Sequence, residues 1–147
     1  MNITYGNCSP GITYTGQVCH KELVTQQVQC ISNSSRDVRV SVENQEELEQ
    51  YIVVLLNHGF PNVKPSPECD SAFRSFICLY LFGLCDSNLT YFIARNSCIV
   101  LRDEVCEREW REIEAFIGPG ILPICEDQYK TWEDDLTLGI YSYVAIM

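Results

Sequence analysis

The stretch Cys69-Asp70-Ser71-Ala72-Phe73-Arg74-Ser75-Phe76-Ile77-Cys78-Leu79-Tyr80-Leu81-Phe82-Gly83-Leu84-Cys85 decides the fold, because it threads three cysteines at C-x(8)-C-x(6)-C spacing through one apolar run. Ala72, Phe73, Phe76, Ile77, Leu79, Tyr80, Leu81 and Phe82 cover most of a helical circumference. All-round apolarity marks a buried helix. The stretch therefore predicts a central helix that stops at Gly83 and is stapled on several sides.

Working outward, a chain of 147 residues with 46% apolar content could bury an adequate core without cross-links, so nine cysteines exceed what folding alone requires. They are spread from Cys8 to Cys125 and not clustered in close pairs, which suits disulfides better than metal. Four Asn-x-Ser/Thr acceptors, at Asn2, Asn7, Asn33 and Asn88, are an independent sign of the secretory pathway. Together the two signals predict an oxidising, extracellular setting. The first residues lack the n-region, h-region and cleavage site of a signal peptide, and the chain reads as an excised fragment.

The formal net charge of -10 argues against a nucleic-acid partner, which demands a basic patch. At the far end, residues 136–147 (LTLGIYSYVAIM) are apolar but shorter than the ~20 residues that span a bilayer. They read as a strand, the start of a membrane segment or a truncated end. A membrane association is expected only through a parent receptor.

Along the chain, residues 1–35 are loop with one short strand near Ile12 and Tyr14, held by Cys8, Cys19 and Cys30. Arg36–Val42 alternates strictly and places Val38, Val40 and Val42 on one face of a strand. Asn44, with Glu47 three residues on, has the form of a capping box for a helix reaching about Asn57, with Leu48, Tyr51, Ile52 and Leu55 as its apolar stripe. His58-Gly59 and the prolines at 61, 65 and 67 are expected to end it. After the central helix, a third helix is predicted over Ser97–Ile117, with Ile99, Cys106, Trp110, Ile113 and Ile117 inward and the acidic and arginine residues outward. One domain over 1–147 suffices, its core at about 8–127 and a tail at 128–147.

Catalytic chemistry finds little support in these residues. His20 and His58 fit no zinc spacing, so neither a metal nor another cofactor is expected. A secreted hydrolase is the enzymatic rival. Yet His58 stands before Gly59 at a predicted helix end, where a cation near free carbonyls is the simpler role, and the acidic pairs lack a calcium-loop glycine.

Three motifs agree with the central spacing. Phe76-Ile77-Cys78 ends on the middle cysteine, Cys106-Glu107-Arg108 lies on the third helix, and Leu122-Pro123-Ile124-Cys125-Glu126-Asp127 follows it; Tyr14-Thr15-Gly16-Gln17-Val18-Cys19 adds a fourth piece near the start. The ordered set resembles the Frizzled-type cysteine-rich domain, including the L-P-x-C-E-D of the ROR-type receptors, over residues 8 to about 127. The resemblance implies a mainly α, disulfide-stapled fold with a short β element.

It also implies the bridges Cys8–Cys85, Cys19–Cys78 and Cys106–Cys125. The chain departs from the family pattern where the partner of Cys69 falls near Ile113 and the last cysteine is missing. Cys30 is the alternative partner for Cys69, which would leave Cys98 unpaired or waiting for a partner beyond the fragment. The function implied is that of an extracellular ligand-binding domain of a receptor or secreted protein, not an enzyme. Its ligand would be a lipid-modified, Wnt-type morphogen held through an acyl chain in an apolar groove. Tyr51, Ile52, Leu55, Phe82 and Phe116 are the expected groove residues, with core packing as the competing role for each. A free sterol or fatty acid in the same groove, and a structural adhesion module with its groove filled by its own side chains, are the alternatives. A second copy of the chain is a further candidate partner.

Overall fold

A computed structural model describes residues 12–20, 36–86, 89–93, 95–117, 122–128 and 143–146. In chain order these form β1 (Ile12–Thr13), β2 (Arg36–Val38), α1 (Val42–Val54), a π-helical turn (Leu55–Gly59), α2 (Phe60–Asn62), α3 (Pro67–Phe82), β3 (Leu84–Asp86), β4 (Leu89–Ile93), α4 (Arg95–Val100), a second π-turn (Leu101–Val105), α5 (Glu107–Ile117), a 3-10 turn (Cys125–Asp127) and β5 (Tyr143–Ile146). The described chain is thus mainly helical, with a small sheet and three disulfides.

The first helix begins earlier than its sequence pattern predicts. Ser41, in extended conformation, accepts the Asn44 N–H on its Oγ at 3.3 Å and the Gln45 N–H on its carbonyl at 2.8 Å. Ser41 is therefore the N-cap in place of Asn44, and the strand is cut back to Arg36–Val38. Val38 and Val40 are fully buried all the same, as their alternation requires.

His58-Gly59 does not end the helix. The backbone widens into the π-turn, where the Phe60 N–H bonds the Leu55 carbonyl, and helix continues to Asn62. Pro61 offers no N–H to the carbonyls behind it. One of them, that of Leu56, is instead satisfied by Arg74 Nη2 from α3 at 2.8 Å.

Helix α3 is the buried centre that its composition demands. Ser66 caps it by accepting the Cys69 N–H at 3.1 Å, a proline opens its first turn, and Gly83 ends it at φ 73°, a conformation that disfavours side chains. Phe73, Phe76, Ile77, Cys78 and Phe82 have no exposed surface. Burying each large side chain contributes about 1.5–3 kcal/mol. Phe60 stacks on Phe73 with ring centroids 4.4 Å apart, and Trp110 of α5 meets Phe73 and Phe76 edge-on at 6.3 and 5.9 Å.

The sheet is antiparallel throughout, in the order β1-β2-β3-β4-β5. Ile12 faces Val38, Asp37 faces Cys85, and Asp86 faces Leu89 across a two-residue connection. Residues 143–146 of the apolar end form a strand, pairing Thr90 with Ile146 and Ile93 with Tyr143. Among the described residues no helix is long and apolar enough to cross a membrane.

The predicted third helix is broken in two. The second π-turn carries the Cys106 N–H back to the Leu101 carbonyl at 2.8 Å, and Cys106 itself leaves helical geometry at φ -123°, ψ 34°. This reshapes the cysteine pairing. Cys19 bonds Cys78, as the resemblance implies, but Cys69 bonds Cys106 and Cys98 bonds Cys125. The expected Cys106–Cys125 and Cys30–Cys69 pairings are thereby corrected, and neither Cys69 nor Cys98 lacks a partner. At the end of the π-turn Cys106 lies 5.2 Å from Cys69 by Cα, and Cys98 lies 5.3 Å from Cys125, both within the reach of a disulfide. Eight residues of ideal α-helix would rotate Cys106 about 80° away from Cys98, whereas the extra residue absorbed by a π-turn keeps both near one face. Cys8 and Cys30 lie outside the described residues, and with them the expected Cys8–Cys85 bridge; so do the acceptors Asn2, Asn7, Asn33 and Asn88.

Candidate functional site

The expected groove residues divide into two groups. Ile52 and Phe82 are fully buried, and Leu55 is nearly so. Phe82 is occupied by the N-terminal loop, its ring lying edge-on to Tyr14 at 4.9 Å. These positions therefore belong to the core. Phe116, in contrast, is 66% exposed near the end of α5.

Phe116 and Leu55 both lie beside Gly59. A methyl group added at Gly59 would lie 3.1 Å from Phe116 Cε1 and 3.8 Å from Leu55 Cδ1. The glycine thus permits close approach of the first helix to α5, and the π-turn sets it there. One helical turn before Leu55, Tyr51 is partly buried against the core, and burial pushes its phenol above the ordinary value. Its hydroxyl is enclosed and finds no hydrogen-bond partner among the described residues. Val54, beside this row, is 55% exposed.

The remaining motifs serve as fasteners. In the Tyr14–Cys19 segment, the Tyr14 hydroxyl donates to Glu49 Oε1 at 2.6 Å and accepts the Cys19 N–H at 3.0 Å. Glu49 Oε2 accepts the Gln17 and Val18 N–H groups at 2.7 and 2.8 Å. Gln45, buried on the same helix, accepts from the Thr15 N–H and donates to the Thr13 and Val40 carbonyls. Any side chain at Gly16 would run into the Glu49 carboxylate and the Tyr14 hydroxyl. Neither Gln45 nor Glu49 stands out in sequence; only the i, i+4 spacing on the face turned to the loop could have marked them.

The Cys106-Glu107-Arg108 motif holds the start of α3. Beside the Cys69–Cys106 bridge, Arg108 donates to the Val63 and Lys64 carbonyls at 2.8 and 2.9 Å, where Lys64 takes up φ 51°. Glu109, expected on the solvated face, is buried and accepts the Ser66 N–H at 3.1 Å. His58 is exposed and bonds no carboxylate among the described residues.

A separate cleft of about 290 Å³ opens between α5 and the residues before the 3-10 turn. Arg102, Asp103, Glu107, Trp110, Arg111, Glu114, Pro123 and Ile124 line it. At one end Arg102 forks onto Glu126 at 2.8 and 2.9 Å and onto Asp103 at 2.7 and 2.9 Å. Those hydrogen bonds hold the Glu126 carboxyl down at about 2 and lower that of Asp103. No group of three or more metal-ligating side chains occurs among the described residues.

No protein-family model matches the chain, and neither does any curated protein or solved structure.

Proposed function

We propose that the chain is a divergent Frizzled-type cysteine-rich domain, an extracellular and non-enzymatic binding module that takes the acyl chain of a lipid-modified, Wnt-type protein against Phe116. The observation that carries this reading is the exposure of that ring where the first helix and α5 meet over Gly59. An exposed aromatic ring offers a large apolar surface that a partner can cover. The disulfide framework and the C-x(8)-C-x(6)-C run, two of its cysteines on α3 and the third on β3, support the extracellular assignment.

Binding of a fluorescent long-chain fatty acid to the full chain tests the reading. Phe116→Asp should abolish it while the far-UV circular dichroism and the disulfide map stay unchanged, and Phe116→Leu should retain most of it. Undiminished binding by the Asp variant would sink the proposal. The burial of Ile52, Leu55 and Phe82 favours a second reading, an adhesion module whose groove is filled by its own core. That reading expects no fatty-acid binding by the parent chain.

A further inference from the structure

The cleft beside α5 lies apart from Phe116 and Gly59, and none of its features is used by the acyl-binding reading. Its floor is apolar: Trp110 shows only 3% of its surface, and Pro123 is buried. Ile124 stands over it 63% exposed although both of its chain neighbours are buried. That exposure is imposed by a fixed backbone. The adjacent Cys125 is bonded to Cys98, and the Ile124 carbonyl accepts from the Asp127 N–H at 3.0 Å and from Gln128 Nε2 at 3.2 Å.

Charges on the rim are of two kinds. Arg102 is saturated by Asp103 and Glu126 and closes one end. Glu107, Arg111 and Glu114, at i, i+4 and i+7 on α5, form no hydrogen bond or ion pair among the described residues. Elsewhere on that helix Arg108 pairs with Glu112 at 2.7 Å, so the spacing that would join Glu107 to Arg111 is available and unused. Two carboxylates thus flank one guanidinium above an apolar floor, all three without a partner among the described residues.

At about 290 Å³ the cleft lies at the lower end of small-molecule sites, which usually enclose about 300–1,000 Å³, and it has room for one or two inserted side chains. An exposed Ile124 beside an apolar floor, rimmed by charged groups, has the layout of a protein–protein contact point, an apolar centre inside a polar rim. The surplus of carboxylate on the rim and the chain's net charge of -10 select a cationic partner over an anionic one. We infer that this cleft docks a protein segment that presents an arginine or lysine next to a branched apolar side chain, the apolar group entering beside Ile124 and the cation pairing with the Glu107 or Glu114 carboxylate.

The test is a nuclear magnetic resonance titration of the isotope-labelled full chain with capped hexapeptides carrying Arg-Leu, Glu-Leu or Arg-Ser at their centre. The Arg-Leu peptide should shift the Ile124 methyl and Trp110 indole signals, with at least tenfold weaker binding by the other two. Ile124→Ser should weaken Arg-Leu binding at least tenfold, and Glu107→Gln with Glu114→Gln several-fold, the latter loss shrinking as salt is raised. Phe116→Asp should leave all of this unchanged, which separates the cleft from the acyl site. Equal binding by the Glu-Leu peptide, or no shift at Ile124 and Trp110 at millimolar peptide, would overturn the inference.

Discussion

Glu49 accepts three hydrogen bonds with two oxygens, from the Tyr14 hydroxyl and from two backbone N–H groups, and thereby ties the loop before Cys19 to α1. Charge-assisted bonds of this kind are roughly twice as strong as neutral ones. Glu49→Ala should cost about 2–3 kcal/mol in urea unfolding, because it leaves three donors without an acceptor. Glu49→Gln, which keeps one acceptor oxygen, should cost clearly less. If both variants unfold at the same urea concentration, the carboxylate has no special part. Glu126 makes a second residue-level case, through pH. Its carboxyl sits at about 2 in the fold, against an ordinary 4.5, so the folded state favours the ionised form. The stability it contributes is present above the ordinary value and is lost as pH falls from about 4.5 towards 2. The pair is exposed, so the effect is small and salt-sensitive. Glu126→Gln should reduce stability near neutrality, flatten the decline across that window and match the parent below it; a variant with an unchanged acid slope would refute the assignment.

Both π-turns shape the elements that matter: one brings Gly59 beneath Phe116, and the other brings Cys106 round to Cys69. The second can be tested by shortening it. Removing the exposed Glu104 leaves seven residues from Cys98 to Cys106, which a plain α-helix accommodates within about 20°. The deletion should preserve both bridges by peptide mapping and change stability by no more than about 1–2 kcal/mol; scrambled pairing would show that the turn has another role. Element positions were largely legible in sequence. All-round apolarity marked α3, Gly83 marked its end, and the alternation at Val38 and Val40 marked an inward face. The π-turns were not legible, since one extra residue in a helix leaves no periodic signature across five residues. The stop expected at His58-Gly59 is a continuation for that reason. The partner of Cys69 is a separate matter: the resemblance points to the position of Ile113, with Cys30 as the alternative, whereas the bridge is made by Cys106, seven residues earlier. Within the candidate site, Phe116 could be named as an apolar side chain with two competing roles, but periodicity places Ile52 and Phe82 on apolar faces without saying whether loop or solvent covers them. Tyr14 covers Phe82 through a contact between residues far apart in sequence.

At the scale of the molecule, stability among the described residues is divided between an aromatic core and three bridges. Their spans are 59 residues for Cys19–Cys78, 37 for Cys69–Cys106 and 27 for Cys98–Cys125. Loop-closure entropy separates the longest from the shortest by only about 0.7 kcal/mol. Removing any one as a Cys→Ser pair should therefore cost about 2–4 kcal/mol in chemical denaturation, with similar values for all three. A bridge whose loss costs under 0.5 kcal/mol would not be one of the fold's fasteners.

The three spans also overlap: Cys69 precedes Cys78, and Cys98 precedes Cys106. From Cys19 to Cys125 every peptide bond consequently lies inside at least one closed covalent ring, and consecutive rings are linked through α3 and through the α4–α5 region like the links of a chain. A protease that makes a single cut anywhere in that stretch releases nothing. The nicked protein should migrate as one species in non-reducing electrophoresis and separate into two only after reduction, wherever the cut falls.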